Sequence, residues 1–349
     1  SVSRDSTESM KVVFENVEVE NLNTLTLKSY SGKINGSVTA HNLLYNPLLY
    51  GDVKINEFKI DDFLVGDISG ALLWNDINSK FDINLIVDRL GKKIIQLEGD
   101  FYPARNTNQL DLDLILNDAN LNIGEPYIED YFTRVAGTIN GRLTVGGTLS
   151  DPLIRGNGTI KNGGIKINYL NTEYKFGGGV KFDKNLISLS GLQFLDVNGN
   201  PAQFGGEVRH NSFRDISLDL NGNLDRFEVL NTTVDNGDIY YGNAYATGNV
   251  SLRGAASNLT INANVTTAPN TKIYIPISEG NDNASVDYIN FINLTDTTQT
   301  YSSSGDEVEK MKIEGLKLDL NINVTPDAYT EIIIDPKTGD IIRGRGNGQ

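Results

Sequence analysis

Gly141–Gly156 reads GRLTVGGTLSDPLIRG, and the same frame occurs twice more in the chain. Gly36–Gly51 reads GSVTAHNLLYNPLLYG, and Gly248–Ala263 reads GNVSLRGAASNLTINA. Aligned on the first glycine, Val38, Leu143 and Val250 coincide, as do Leu49, Ile154 and Ile261, and as do Asn46, Asp151 and Asn258. Pro47 and Pro152 match as well, with Leu259 at that place in the third copy. The first glycines are 105 and 107 residues apart. A second anchor recurs in register at steps of 107 and 109: Leu97-Glu98-Gly99, Phe204-Gly205-Gly206 and Ile313-Glu314-Gly315. A fixed period signals a chain built by stacking one unit. It divides the chain into lead-in strands at 1–31 and three β repeats at 32–136, 137–243 and 244–349, in one continuous elongated body. The third repeat carries a polar Ser/Thr/Asp-rich insertion at about 278–310 and reads as truncated at its C-terminus, so the chain is expected to be a piece of a longer protein.

Inside the repeats, apolar and polar residues alternate with period two, the mark of strands with one buried face. The clearest runs are Leu110-Asp111-Leu112-Asp113-Leu114 and Leu316 through Val324, where every intervening residue is charged or an amide. Asn-Gly pairs punctuate the pattern at Asn35-Gly36, Asn140-Gly141, Asn162-Gly163, Asn198-Gly199, Asn221-Gly222 and Asn236-Gly237. Asn-Gly between alternating runs is a strong hairpin signal, so each is expected to be a tight reversal. Turns are also expected at Asn46-Pro47, Asp151-Pro152, Asn258 and Asp335 to Gly339. Helix is expected only as single turns at Tyr127–Phe132 and Phe227–Leu230. The fold class is therefore all-β, and at about 14 residues per strand and turn the chain would hold roughly 25 strands over about 120 Å.

Composition narrows the function. Of 349 residues 39% are hydrophobic, enough for a sizeable buried face, and the net charge of −15 argues against nucleic acid and against docking on an anionic membrane surface. No apolar run approaches the ~20 residues of a membrane-spanning helix. With no cysteine and two histidines in different repeats, His/Cys zinc sites and Cys/His nucleophiles are excluded. His41 and His210 both sit beside turn-type residues and are expected to be solvated. Asp196-Val-Asn198-Gly-Asn200 with Glu207 at the twelfth place has the spacing of a calcium loop. Pro201, however, stands where that loop needs glycine, so a hairpin turn is the simpler reading. No enzyme, no cofactor and no metal site is expected.

The apolar face remains, and it is strongly aliphatic. Its candidate residues are Leu112, Leu114, Leu143, Val145 and Ile154, then Ile165, Ile167, Ile187 and Leu189, then Ile216, Leu218 and Leu220, and last Leu316, Leu318, Leu320 and Ile322. Periodicity fits a packed core and an open groove lined for acyl chains equally. Gly-rich strands such as Gly177-Gly178-Gly179 favour the groove by allowing the bends of a curled sheet.

The run Asp151-Pro152-Leu153-Ile154-Arg155-Gly156 resembles the recurrent strand-turn motif of the AsmA-like superfamily. So do Asp196 through Ala202 leading to Gly205-Gly206, Thr271 through Pro276, and Val324-Thr-Pro326-Asp-Ala328 leading to Asp335, Gly339-Asp340 and Arg343-Gly344. In this order they are similar to the C-terminal region of its TamB family, translocation and assembly module subunits of Gram-negative envelopes. That resemblance implies a long sheet curled into a trough, a β-taco with an aliphatic interior. It implies a periplasmic, bridge-like lipid-transfer protein that conducts phospholipid between inner and outer membrane in outer-membrane biogenesis, the full-length chain being anchored in the inner membrane. It further implies a BamA/TamA-type outer-membrane barrel as partner. Two other readings stand beside it: a chaperone-like scaffold that pairs its edge with strands of outer-membrane β-barrel or autotransporter clients, and a closed-core surface fibre or adhesin.

Overall fold

The computed structural model describes residues 9–21, 29–41, 48–75, 78–129, 131–211, 214–233, 240–255, 257–276, 317–335, 340–345 and 348. Nineteen strands follow one another in these residues. The first seven are β1 (Ser9–Glu18), β2 (Tyr30–His41), β3 (Leu48–Ile60), β4 (Phe63–Asn75), β5 (Lys80–Arg89), β6 (Lys92–Phe101) and β7 (Leu110–Asn120). A short 3-10 helix, Leu121–Tyr127, precedes β8 (Phe132–Gly147) and β9 (Pro152–Ile167). Then come β10 (Thr172–Asp183), β11 (Leu186–Leu195), β12 (Pro201–Asn211), β13 (Arg214–Thr232), β14 (Tyr241–Ala255) and β15 (Asn258–Thr267). The last are β16 (Lys272–Pro276), β17 (Lys317–Asn323), β18 (Tyr329–Asp335) and β19 (Asp340–Gly344). Strands reach 19 residues in β13, which is why there are fewer of them than a 14-residue unit implies.

From β1 to β15 each strand pairs antiparallel with the next, so the sheet grows by hairpins alone. The order changes at the C-terminal end. β15 covers residues 246–255 of β14 and β16 covers residues 241–243, so the two are one strand with a break at Ala268–Thr271. β17 and β18 run parallel to them and break at the same level, where the Thr325 N–H donates to Thr267 Oγ1 at 2.9 Å and the Tyr329 N–H to the Thr271 carbonyl at 2.9 Å. Pro269 and Pro326 lie in these breaks, where a residue without an N–H costs the ladder nothing. β19 closes a hairpin on β18. The insertion expected at 278–310 and the anchor Gly315 fall outside the described residues.

The two anchor series land on equivalent strands. Gly36, Gly141 and Gly248 lie in β2, β8 and β14, six strands apart, and Gly99 and Gly206 lie in β6 and β12. None of the first three is at a turn. Of the expected Asn-Gly reversals, five lie within the described residues and only Asn198-Gly199 reverses the chain; Asn35, Asn140, Asn162 and Asn221 are mid-strand, and Asn236-Gly237 lies outside the described residues.

Asn35 and Asn140 are the partners of β-bulges instead. In β1 two residues, Glu15 and Asn16, stand opposite the single Asn35 of β2; in β7, Asn117 and Asp118 stand opposite Asn140 of β8. In β13, Asp225 and Arg226 stand opposite Thr247 of β14, and in β3, Asn56 and Glu57 oppose Asp67 of β4. The second bulged residue has φ between 49° and 52° in all four. Its N–H is taken by the side chain facing it: Asn16 by Asn35 Oδ1 (2.9 Å), Asp118 by Asn140 Oδ1 (2.9 Å), Arg226 by Thr247 Oγ1 (2.9 Å) and Glu57 by Asp67 Oδ1 (2.8 Å). The glycine that follows admits the next strand: a Cβ on Gly141 or Gly248 would stand 2.5 or 2.3 Å from the carbonyl oxygen of Asn157 or Asn264. A bulge bends its strand and increases the local twist, and bends placed in register curl a sheet. The sheet is accordingly open and curled.

Helix is confined to Leu121–Tyr127 among the described elements of the two predicted sites, ending where the first was expected to begin; Pro126 falls inside it. Phe227–Leu230 is strand, not helix; a second register shift between Glu228 and Leu230 puts both apolar side chains on one face, where both are buried and Phe227 enters the hydrophobic core of the described residues. That core joins Tyr174, Ala202, Leu224, Phe227 and Ala246. Tyr174 stacks on Phe227 with centroids 4.7 Å apart, and its hydroxyl donates to the Glu228 carbonyl at 2.9 Å, tying β10 to β13 across two intervening strands.

Candidate functional site

Antiparallel pairing puts directly opposed residues on the same face, so the register traces what each face presents along the whole sheet. One row runs Ile34, Ile55, Ile68, Val87, Ile95, Leu116, Gly141, Gly158, Val180, Leu189, Gly206, Leu220, Leu252, Ile261 and, in β17, Leu318. The parallel row begins at Phe14 and continues through Gly36, Val53, Gly70, Leu85, Leu97, Leu114, Leu143, Gly156, Phe182, Ile187, Val208, Leu218, Gly254 and Leu259. No polar side chain interrupts either row. At about 4.8 Å per strand, fifteen strands give an apolar path on the order of 70 Å, shorter than 120 Å because the strands are longer.

Further rows flank these two. Leu112, Val145 and Ile154 form one with Gly99, and Trp74, Phe81, Phe101 and Leu110 form the next. On the other side Leu320 pairs with Ala263 and Ile322 with Val265. Ile165 and Ile167 pack against the aromatic core around Tyr174, and Ile216 lies one step beyond Leu218 on β13. Leu110, Leu112, Leu143 and Tyr174 are buried, Leu318 and Leu320 are exposed, and the rest named here are half-buried. Leu316 is outside the described residues. Of the expected turns, Asp151 lies in the β8–β9 turn, with its N–H donating to the Thr148 carbonyl, Pro152 opens β9, Asn258 opens β15 and Asp335 ends β18; Asn46, Pro47 and Gly339 are outside the described residues.

Strand-to-strand contacts follow the hydrogen-bonded order. The exceptions are the 3-10 helix, which also touches β4, and the β10–β13 tie. Among the described residues no second sheet or helix layer covers the apolar face. At three of its glycines a neighbouring strand's side chain lies over the gap: Leu85 over Gly70, Leu143 over Gly156 and the Phe204 ring over Gly222. The result is a floor of alternating large and small residues without knobs or polar stops.

The opposite face carries the charge. Asp111 and Asp113 are exposed there, opposite Asp100 and Glu98. Lys80 bridges Asp82 and Asp100 at 2.7 Å each, which raises the Lys80 ammonium and lowers the Asp100 carboxyl from their usual ranges. Arg253 and Asp219 pair at 3.3 Å across β13 and β14.

Asp196 is not a cation ligand. Its Oδ1 accepts the N–H groups of Asn198 and Asn200 (2.9 and 2.8 Å), and its Oδ2 accepts Asn200 Nδ2 and the Glu228 N–H (2.9 and 3.0 Å). Those donors consume the carboxylate and fasten the β11–β12 turn under β13, while Glu207 pairs with Arg209 at 2.6 Å. Among the described residues no three His, Cys, Asp or Glu side chains converge as a metal site would require. His41 is exposed at the end of β2, but His210 is buried in β12, where burial lowers its pKa and keeps the imidazole neutral. Its place in the strand, inward of Asn211, overrides the turn-like sequence around it.

Glu228 was not singled out by sequence. It is 2% exposed; Tyr245 donates to its Oε1 at 3.2 Å, Oε2 has no partner, and burial raises its pKa. A charged residue between Phe227 and Val229 in an otherwise apolar run was the available signal. No helix among the described residues is long and apolar enough to cross a membrane.

Residues 190–349 match the family model described as the TamB C-terminal domain. The match begins in β11 and takes in the core residues of β12 to β14, the broken strands and the C-terminal hairpin. No curated protein and no solved structure matches the chain.

Proposed function

We propose that this chain, whose residues 190–349 match the TamB C-terminal domain, belongs to the TamB family with its role in outer-membrane biogenesis and protein assembly in the Gram-negative envelope, and that it is a periplasmic conduit for phospholipid acyl chains. The observation that carries this reading is the pair of unbroken apolar rows, mostly aliphatic and glycine, crossing fifteen strands with no layer over them among the described residues. Each methylene withdrawn from water is worth roughly 0.8 kcal/mol, so a sixteen-carbon chain laid on such a floor recovers on the order of 13 kcal/mol. A floor of nearly uniform chemistry offers similar stabilisation at every strand, so a chain moves along it without a deep trap. The charged outer face keeps the trough in water. The work is done without a catalytic centre, and a BamA/TamA-type barrel is the proposed partner at the outer membrane.

The test is direct. The chain purified from a Gram-negative host is extracted with chloroform and methanol and its phospholipid counted by phosphate and mass spectrometry. Stoichiometric two-chain phospholipid is expected, and a lipid-free protein that also fails to take up phospholipid from vesicles would falsify the conduit.

One observation favours a second reading. Among the described residues strand β1 pairs with β2 alone, and Met10, Val12, Val13, Phe14 and Val17 on it are 40–55% exposed. That edge suits addition of a client β-strand, which cross-linking from Val13 to an unfolded outer-membrane barrel protein would detect.

A further inference from the structure

We propose that Asn35, Asn140 and Thr247, one in each sequence repeat, are positioning residues that set the width of the groove, and through it how much lipid the groove holds. The inference rests on the conduit reading for its second half only.

The three residues share one local geometry, although the Asn140 amide also donates to Asp118 Oδ1 at 2.7 Å. Each is the single residue facing a two-residue bulge, each gives its side-chain oxygen to the N–H of the second bulged residue at 2.9 Å, and each precedes the glycine that admits the next strand. They recur on β2, β8 and β14, so the lock returns every six strands. The chemistry conserved between them is an oxygen acceptor, not a residue type: two amides and one hydroxyl do the same task. Asp67 supplies a carboxylate oxygen in the same way to Glu57. Two other bulges, at Lys161-Asn162 in β9 and Ser190-Gly191 in β11, face Gly177 and Gly205, which have no side chain to give. The locks are thus intermittent, and the sheet between them is free to settle its own curl.

A bulged residue at φ near +50° has turned its N–H away from the ladder, so without an acceptor that N–H goes to water or the bulge rearranges to regular pairing. Either change flattens the strand locally. A flatter sheet leaves the aliphatic rows in place but spreads them, and an acyl chain then touches one wall where it previously touched two.

The experiment uses the whole chain with Asn35→Ala, Asn140→Ala and Thr247→Val combined, against a control with Thr247→Ser alone, which keeps the hydroxyl. Solution X-ray scattering on detergent-stripped protein reads the cross-section, and uptake of fluorescent phosphatidylethanolamine from vesicles reads the loading. Losing one hydrogen bond of this kind shifts a local equilibrium about fivefold, so three locks together are expected to widen the cross-section and reduce loading by an order of magnitude or more. Thr247→Ser is expected to match the wild type in both. An unchanged cross-section in the triple variant overturns the lock, whatever the lipid result. A wider cross-section with loading undiminished overturns its role in holding lipid. If the wild type takes up no phospholipid, the conduit and the loading role fail together, and the scattering comparison still decides whether the locks set the width. Should the triple variant fail to fold, Thr247→Val by itself is compared with Thr247→Ser, which differ by one acceptor.

Discussion

Replacing Leu189 by glutamate places a charge on the groove floor at its centre, between Val180 and Gly206 in the long aliphatic row. Leu189 is half-buried in the lipid-free protein, so the free chain loses only about half of the ~2 kcal/mol that full burial of a leucine contributes, and the carboxylate still reaches water. The loaded groove is different. An acyl chain over residue 189 must leave the carboxylate hydrated, and forgoing contact along about three methylenes costs ~2.4 kcal/mol, roughly a 50-fold loss of affinity. The matched control is Ser188→Glu, one residue away on the outer face between Lys181 and Glu207. Phospholipid retained per chain after size exclusion at pH 7.5 is the readout, alongside the thermal midpoint of each variant. A carboxyl covered by hydrocarbon has a raised pKa and becomes neutral at or below its ordinary value of about 4.3, so loading of Leu189→Glu should recover toward wild type near pH 4. The reasoning is refuted if Leu189→Glu folds and keeps wild-type lipid at pH 7.5, or if Ser188→Glu loses as much.

Two stability predictions follow from the same structure. Glu228 is buried with one orphan oxygen, and its folded pKa lies above the ordinary 4.5. The protein therefore holds that proton more tightly when folded, and the stability linked to it is complete below pH 4.5 and lost as pH rises through the folded value. Glu228→Gln should accordingly raise the urea midpoint at pH 8 and leave it unchanged at pH 4; an equal shift at both would show that the charge is not the cause. Gly206 has φ +132° and a Cβ there would stand 2.2 Å from the Asp219 carbonyl oxygen, whereas Gly179 has open space. Gly206→Ala should cost about 3 kcal/mol and Gly179→Ala close to nothing, which paired denaturant melts will separate.

The alternation in Leu110–Leu114 was sufficient to place its residues on opposite faces, because a strand's side chains alternate whatever its neighbours are. The same holds for Leu218 against Asp219. Asn35-Gly36 and Asn140-Gly141 were misread for a physical reason. A tight turn and a bulge both need a residue with a short polar side chain beside a glycine that tolerates close backbone approach, and only the opposing strand decides which forms. Asn198-Gly199 differs in having Asp196 two residues upstream to cap its turn. Phe227–Leu230 was expected to be helical from its matching place in the repeat, yet it is strand, and the register shift between Glu228 and Leu230 puts both side chains on one face. The ties between β10 and β13 join residues 54 to 60 apart in sequence and leave no local trace.

The broken strands at the C-terminal end bear on how the sheet assembles in time. From β1 to β15 every strand pairs with its chain neighbour, so contact order is low and each hairpin can close as soon as it is synthesised. The parallel addition of β17 to β15 cannot use a short turn, because parallel neighbours need a long crossover. Closing a loop of forty residues costs about 2 kcal/mol more in entropy than closing one of four. β17 to β19 should then dock last and detach first, which pulsed hydrogen exchange would register as late protection of Leu318 and Leu320. Until that step is complete, β15 and β16 present an unpaired edge, and the youngest part of the molecule is also the part most exposed to pairing with the wrong chain.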